Sequence, residues 1–266
     1  MAAAPVTIST LTAMKERGER IASLTCYDAS FCSLLEQAGV EVLLVGDSLG
    51  MVIQGQATTL PVTLDQMVYH AACVARARRW AFVVGDLPFL SYATPDRALA
   101  SAGRLMQEGG AHMVKLEGGA PVVKTIEFLT RHGVPVCAHL GLLPQSIHRL
   151  GGYRYQGRDH ASADAIRHDA LALQDAGAGM LVLECVPAAL AGEISRTLSI
   201  PVIGIGAGNA CDGQVLVLYD MLGLTPGKPP GFSKNFLAGR PGVAEAVAAY
   251  VQDVKSGAFP GAAQTP

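Results

Sequence analysis

VEVLLVGDSLG, residues 40–50, runs from β-branched and leucine side chains straight into Gly-Asp-Ser. A continuous apolar run of this length reads as a strand buried on both faces, the pattern of a parallel sheet covered by helices. A carboxylate inside such a sheet would cost several kcal/mol or shift its pKa, so Asp47 belongs at the strand's C-terminal end. Working outward, the same pattern returns with a different polar ending each time.

Expected strands cover 21–27, 40–47, 82–87, 113–117, 135–140, 180–186, 201–205 and, as a candidate eighth, 215–219. Between them lie amphipathic helices at 29–38, 64–79, 95 to about 108, 122–132, 163–176, 188–198 and 243–254. A short leading helix, capped by Ser9, runs to Arg17. Ser48–Thr63 and Gly141–Ser162 read as long loops, a length that in a compact domain marks a lid or binding loop. About eight strand–helix units in 266 residues indicate an α/β fold, a single-domain (β/α)8 TIM barrel. An open doubly wound sheet would need a phosphate loop after the first strand, and TCYDAS (residues 25–30) contains no glycine. The segment Gly204–Gly208 fails the G-x-G-x-x-G spacing and reads as a close-approach turn.

Half the residues are hydrophobic, 16% are charged and the net charge is −2, which argues against disorder and against a basic nucleic-acid face. RARR at 76–79 reads as the solvated end of a helix. The six cysteines are scattered without a CxxC pair, as expected of buried thiols in a reducing compartment. The first twenty residues carry no apolar signal core, and the apolar stretch Met180–Leu190 is too short for a span. The expectation is a cytoplasmic protein with a loose tail over roughly 256–266.

In a barrel the strand C-termini open onto one face. The polar endings are Asp47, Asp86, Lys115 with Glu117, His139 and Glu184, on five consecutive strands of a chain with few charges. Any one of these has a bland explanation, such as a helix cap or a satisfied core histidine. Together they call for a cation and a substrate to compensate. Lys115 and Glu117, two apart, share one face of their strand. Glycine before Asp47 and Asp86 would let backbone or ligand come close. Oxygen-only donors from Asp47, Asp86 and Glu117 suit Mg²⁺ or Mn²⁺ better than zinc. Lys115 could bind an anionic substrate. Glu184, in the apolar run LVLEC, is the candidate base for proton abstraction beside a carbonyl, its pKa raised by desolvation. His139 is a possible accessory group. These readings reach metal-assisted enolate chemistry on a small 2-oxo acid.

The chain also resembles the ketopantoate hydroxymethyltransferase (3-methyl-2-oxobutanoate hydroxymethyltransferase) family. The resemblance spans about residues 7–260 and rests on LVGDSLGM (44–51), TLPVT (59–63), DLPF (86–89), MVKLEGG (113–119), HLGLLPQS (139–146), GGY with QGR (151–158), LVLECVP (181–187) and IPVIGIGAG (200–208). It implies one Mg²⁺ per subunit on Asp47, Asp86 and Glu117, with Asp47, Ser48, Asp86 and Lys115 contacting the 2-oxo acid and Glu184 accepting the proton. It further implies one-carbon transfer from 5,10-methylenetetrahydrofolate to 3-methyl-2-oxobutanoate, giving 2-dehydropantoate for pantothenate and coenzyme A synthesis, in a homodecamer. Leu143 and Gln56 depart from the Thr and His expected of those motifs, at positions with no assigned role. The alternatives are a related Mg²⁺-dependent 2-oxo acid lyase or mutase and a non-catalytic metabolite-binding barrel. The former typically carries a loop cysteine, and residues 48–63 have none; the intact set of site residues speaks against the latter.

Overall fold

The computed structural model describes residues 4–225 and 227–265. Eight parallel strands close on themselves in chain order: β1 (Ile21–Thr25), β2 (Val42–Val45), β3 (Phe82–Asp86), β4 (Met113–Glu117), β5 (Val136–Gly141), β6 (Met180–Glu184), β7 (Val202–Ile205) and β8 (Gly213–Leu216). Seven of the expected strands lie where the apolar runs placed them. The eighth starts earlier and stops at Leu216, because Val217 leads into a helical turn, Leu218–Met221, whose Leu218 amide is taken by the Thr25 hydroxyl at 2.9 Å. Closure leaves no sheet edge and no crevice of the doubly wound kind.

Helices are α1 (Ile8–Glu16), α2 (Ala29–Gln37), α3 (Leu49–Val52), α4 (Leu64–Ala77), α5 (Pro95–Gln107), α6 (Val123–Arg131), α7 (Ile147–Leu150), α8 (His160–Asp175), α9 (Ala188–Thr197), α10 (Leu218–Met221) and α11 (Val243–Ser256). Thr7, not Ser9, caps α1, through a reciprocal pair with Thr10 that satisfies two orphan amides. Helix α8 begins three residues before expectation because Asp159 accepts from the Ser162 amide. Both long loops contain a short helix, α3 in the first and α7 in the second.

The tail is not loose along its length. Phe259 is 3% exposed, its ring 5.5 Å from Phe236 and 5.7 Å from Tyr250, and Ala263–Thr265 reach the barrel mouth. One aromatic anchor thus ties down a segment whose Gly/Ala composition suggested none. Away from the mouth, buried carboxylates are answered locally. Glu36, for example, accepts from the amides of Arg79, Trp80 and Ala81. The cysteines among the described residues are free, and five of the six are buried. No helix among the described residues is long and apolar enough to cross a membrane.

Candidate active site

Strand register brings the polar endings together. Asp86 pairs across the sheet with Lys115, Glu117 with His139, and Gly141 with Glu184. Neighbouring strands lie about 4.8 Å apart, so side chains from such pairs meet without loop rearrangement. All of Asp47, Ser48, Asp86, Lys115, Glu117, His139 and Glu184 line one cavity of about 1000 Å³ at the C-terminal mouth.

The two glycines before the aspartates do different work. A Cβ on Gly46 would stand 2.8 Å from the Ser48 hydroxyl and 3.4 Å from an Asp86 oxygen, so this glycine admits the site's own side chains. A Cβ on Gly85 would instead strike Leu105 at 2.7 Å, on α5. Gly85 therefore serves helix–sheet packing rather than the approach of a ligand, contrary to expectation. Gly141, at φ +93°, is the third close approach: its Cβ would lie 2.1 Å from the Glu184 carbonyl oxygen.

Lys115 Nζ stands 2.5 Å from Asp86 Oδ1, with both side chains almost wholly buried. The other Asp86 oxygen accepts from the Asp47 amide at 3.1 Å. Burial opposes the charge on Lys115, but Asp86, Glu117 and Asp47 outweigh it and raise the ammonium's pKa. Burial and the charge of Asp86 push Asp47 up to about 7, and burial carries Glu117 well above the carboxylate range. Glu184 is raised to about 8, again by burial. His139, 2% exposed, is held well below its ordinary value by burial and by Lys115, so it is neutral at pH 7. Its Nε2 is 3.3 Å from Glu184 and its Nδ1 3.7 Å from Glu117, yet neither nitrogen has a hydrogen-bond partner among the described residues. Orphaned buried polar atoms inside a cavity mark where water, ions or ligand groups belong.

Three residues given no role from sequence complete the frame. Gln145, just after β5, donates through Nε2 to Asp47 Oδ2 (2.8 Å) and to the Leu87 carbonyl (3.0 Å), while its backbone amide donates to Glu117 (3.0 Å). Tyr92 donates to the side-chain oxygen Oε1 of Gln145 at 2.6 Å, and Tyr27 shares a 2.8 Å hydrogen bond with Ser48. Gln145 lies within HLGLLPQS and Tyr27 within TCYDAS, but nothing in those strings says that Gln145 reaches back to the ends of β2 and β3 or that Tyr27 meets Ser48 beyond β2.

Among the described residues no three His, Cys, Asp or Glu side chains are grouped to cage a metal unaided. The donor set nevertheless fits a hard cation. Mg²⁺ keeps several waters and needs only one or two carboxylates plus substrate oxygens, and burial makes the ionised forms of Asp47 and Glu117 costly unless a cation joins them.

Comparison with known proteins decides the class. A profile described as ketopantoate hydroxymethyltransferase matches residues 5–262. The chain belongs to the ketopantoate hydroxymethyltransferase family. It is 61% identical over 255 residues to 3-methyl-2-oxobutanoate hydroxymethyltransferase of Nitrosococcus oceani, covering 96% of this chain and 97% of that one. The Methylococcus capsulatus enzyme of the same name is 62% identical over 257 residues, covering 97% and 95%. This family member is thus an enzyme, a hydroxymethyltransferase. Among solved structures, phosphoenolpyruvate phosphomutase of Streptomyces platensis subsp. rosaceus superposes with a TM-score of 0.62 at 15% identity, over 82% of this chain and 83% of that one. That likeness speaks for the barrel alone.

Proposed function

We propose that the enzyme moves a one-carbon unit from 5,10-methylenetetrahydrofolate to 3-methyl-2-oxobutanoate by way of the substrate's enolate, with water supplying the new hydroxyl oxygen, giving 2-dehydropantoate and tetrahydrofolate. The observation that carries the reading is a glutamate with a pKa of about 8 facing a buried Lys–Asp pair across one barrel mouth. Lys115 supplies fixed positive charge for the substrate carboxylate. Ser48, oriented by Tyr27, offers a hydroxyl to the same acid. Glu184, ionised, takes the proton from C3, and its elevated pKa matches it to a carbon acid better than an ordinary carboxylate. Neutral His139, beside it, adds no charge that would pull that pKa down.

Asp47, Asp86 and Glu117 would hold Mg²⁺, some of them through water, and Gln145 keeps Asp47 and Glu117 in place. The ion, when bound, supplies Lewis-acid stabilisation of charge developing on the 2-oxo oxygen. The same family resemblance supports assembly as a homodecamer; sedimentation equilibrium reading a monomer would refute that part.

The test is direct. Protein, Mg²⁺, 3-methyl-2-oxobutanoate and 5,10-methylenetetrahydrofolate should yield 2-dehydropantoate, with product lost when either organic substrate is omitted or EDTA is added. Cleavage of the oxo acid without folate would indicate a lyase instead.

A further inference from the structure

The large cavity contains a carboxylate that the chemistry above does not use. Asp220 follows β8 on α10, lines the cavity wall and is only 7% exposed. Several other sheltered acids have a cation beside them. Asp86 has Lys115, Asp212 has Lys15, Asp253 has Lys234, and Glu41 has Lys255. Asp220 has only the Thr225 hydroxyl, which donates to Oδ1 at 2.5 Å. Among the described residues its other oxygen has no partner. Burial alone raises its pKa, with Thr225 opposing and no cation entering the balance. A carboxylate set into a cavity wall without a counter-charge is costly unless something else brings N–H donors to it.

Asp220 also comes from a different part of the barrel: it follows β8, which pairs with β1, whereas Asp86, Lys115, Glu117 and Glu184 come from β3, β4 and β6. The cavity, at about 1000 Å³, lies at the upper end for small-molecule sites and far exceeds the needs of a five-carbon acid. The same stretch of chain lines the cavity with Val215, Leu216 and Val217 from the end of β8 and with Phe232, alongside Thr225 and Lys228. Apolar side chains beside one sheltered carboxylate suit a flat heterocycle that carries two adjacent N–H donors on one edge.

We propose that Asp220 is the specificity-determining group for the one-carbon donor, reading the 2-amino and ring N–H edge of its aminopyrimidine. This rests on the folate-donor reading above. A carboxylate accepts two parallel N–H bonds in plane, and a heterocycle lacking the amino group would leave one oxygen without its N–H partner in a sheltered wall, a loss that discriminates between donors. The donor thus lies with its pyrimidine edge on the β8–β1 side of the cavity. Its one-carbon end points toward Glu184 and the oxo acid.

Asp220→Asn tests this, because the amide oxygen can still accept from Thr225 while its NH₂ opposes the donor's N–H edge. The expected result is a split: KM for 5,10-methylenetetrahydrofolate rises at least tenfold, while KM for 3-methyl-2-oxobutanoate stays within about twofold. Tetrahydrofolate affinity, read by isothermal titration calorimetry without the oxo acid, should fall in parallel. A purely structural role, fastening the 221–225 turn, would move both KM values together, and Thr225→Val would then reproduce the defect; that outcome overturns the proposal. Unchanged donor KM in Asp220→Asn also overturns it. Wild-type protein that makes product and binds tetrahydrofolate isolates a failure here from failure of the donor reading, whereas wild type that binds no tetrahydrofolate sinks both.

Discussion

Glu184 ends β6 with its side chain 13% exposed, and desolvation, only partly offset by Lys115, moves its pKa from the ordinary carboxylate value to about 8. In the proposed reaction the ionised form is the base, so proton abstraction should increase as pH rises through that value and level off above it. Bound Mg²⁺ shifts the midpoint downward, never upward, because nearby positive charge favours the carboxylate. A pH–rate profile of C3 exchange already flat from pH 5 would contradict the assignment. At Gln145, one amide side chain fixes the Asp47 carboxylate and the Leu87 carbonyl. Gln145→Leu should weaken Mg²⁺ binding by roughly 10–100-fold, read by calorimetry, with the barrel retained. The contrast between these residues explains what was legible. Asp47, Asp86, Lys115, Glu117 and Glu184 stood out because charges ending apolar runs are conspicuous. Gln145, Tyr92 and Tyr27 are neutral, and their work exists only once loops fold back across other strands.

At the scale of elements, the β5–β6 junction is the tightest part of the site. Gly141 sits at a positive φ with the Glu184 carbonyl oxygen where a Cβ would be. Gly141→Ala should therefore cost more than the roughly 1–3 kcal/mol of backbone strain alone and displace Glu184. The expected readout is a lowered Tm together with kcat reduced at least a hundredfold, since small misplacements of a catalytic group are expensive. A normal kcat would remove the argument for this close approach. The C-terminal segment makes the complementary case. Phe259 is packed on Phe236 and Tyr250, and Phe259→Ala should cost about 3–5 kcal/mol in denaturant unfolding. Strand positions were readable because buried parallel strands are nearly continuous apolar runs. The tail was not, since one aromatic among glycines and alanines carries no periodicity. Helix starts at Thr7 and Asp159 were set by single side-chain caps, a signal shared by many other Ser, Thr and Asp residues in the chain.

For the whole molecule, the cavity shelters carboxylates whose ionisation burial opposes. Asp47, Glu117 and Glu184 all have folded-state pKa values above their unfolded ones, so between about pH 4.5 and 8 the folded state binds more protons. Stability of the metal-free protein must then fall as pH rises through that window. Lys115, raised from an already high value, contributes steadily throughout it, and His139, neutral when folded, opposes the trend at pH values below its ordinary pKa of 6.5 and not above it. Melting in EDTA should give a lower Tm at pH 8 than at pH 5.5, and millimolar Mg²⁺ should recover most of the difference by binding the folded state. A Tm that rises with pH in EDTA would mean that the carboxylates are already neutralised by the protein. The barrel itself was legible from the recurrence of strand and helix. The cavity's size and its second, Asp220-bearing side were not, because they depend on loops from four parts of the chain meeting at one mouth.

The central claim is that Glu184 removes a proton from the 2-oxo acid before any one-carbon unit arrives. Incubation of 3-methyl-2-oxobutanoate with the protein and Mg²⁺ in deuterated water, without folate, isolates that step. The prediction is deuterium at C3 with wild type and none with Glu184→Gln, whose Mg²⁺ affinity is unchanged. Absence of exchange in the wild-type enzyme, or full exchange in the variant, would contradict it.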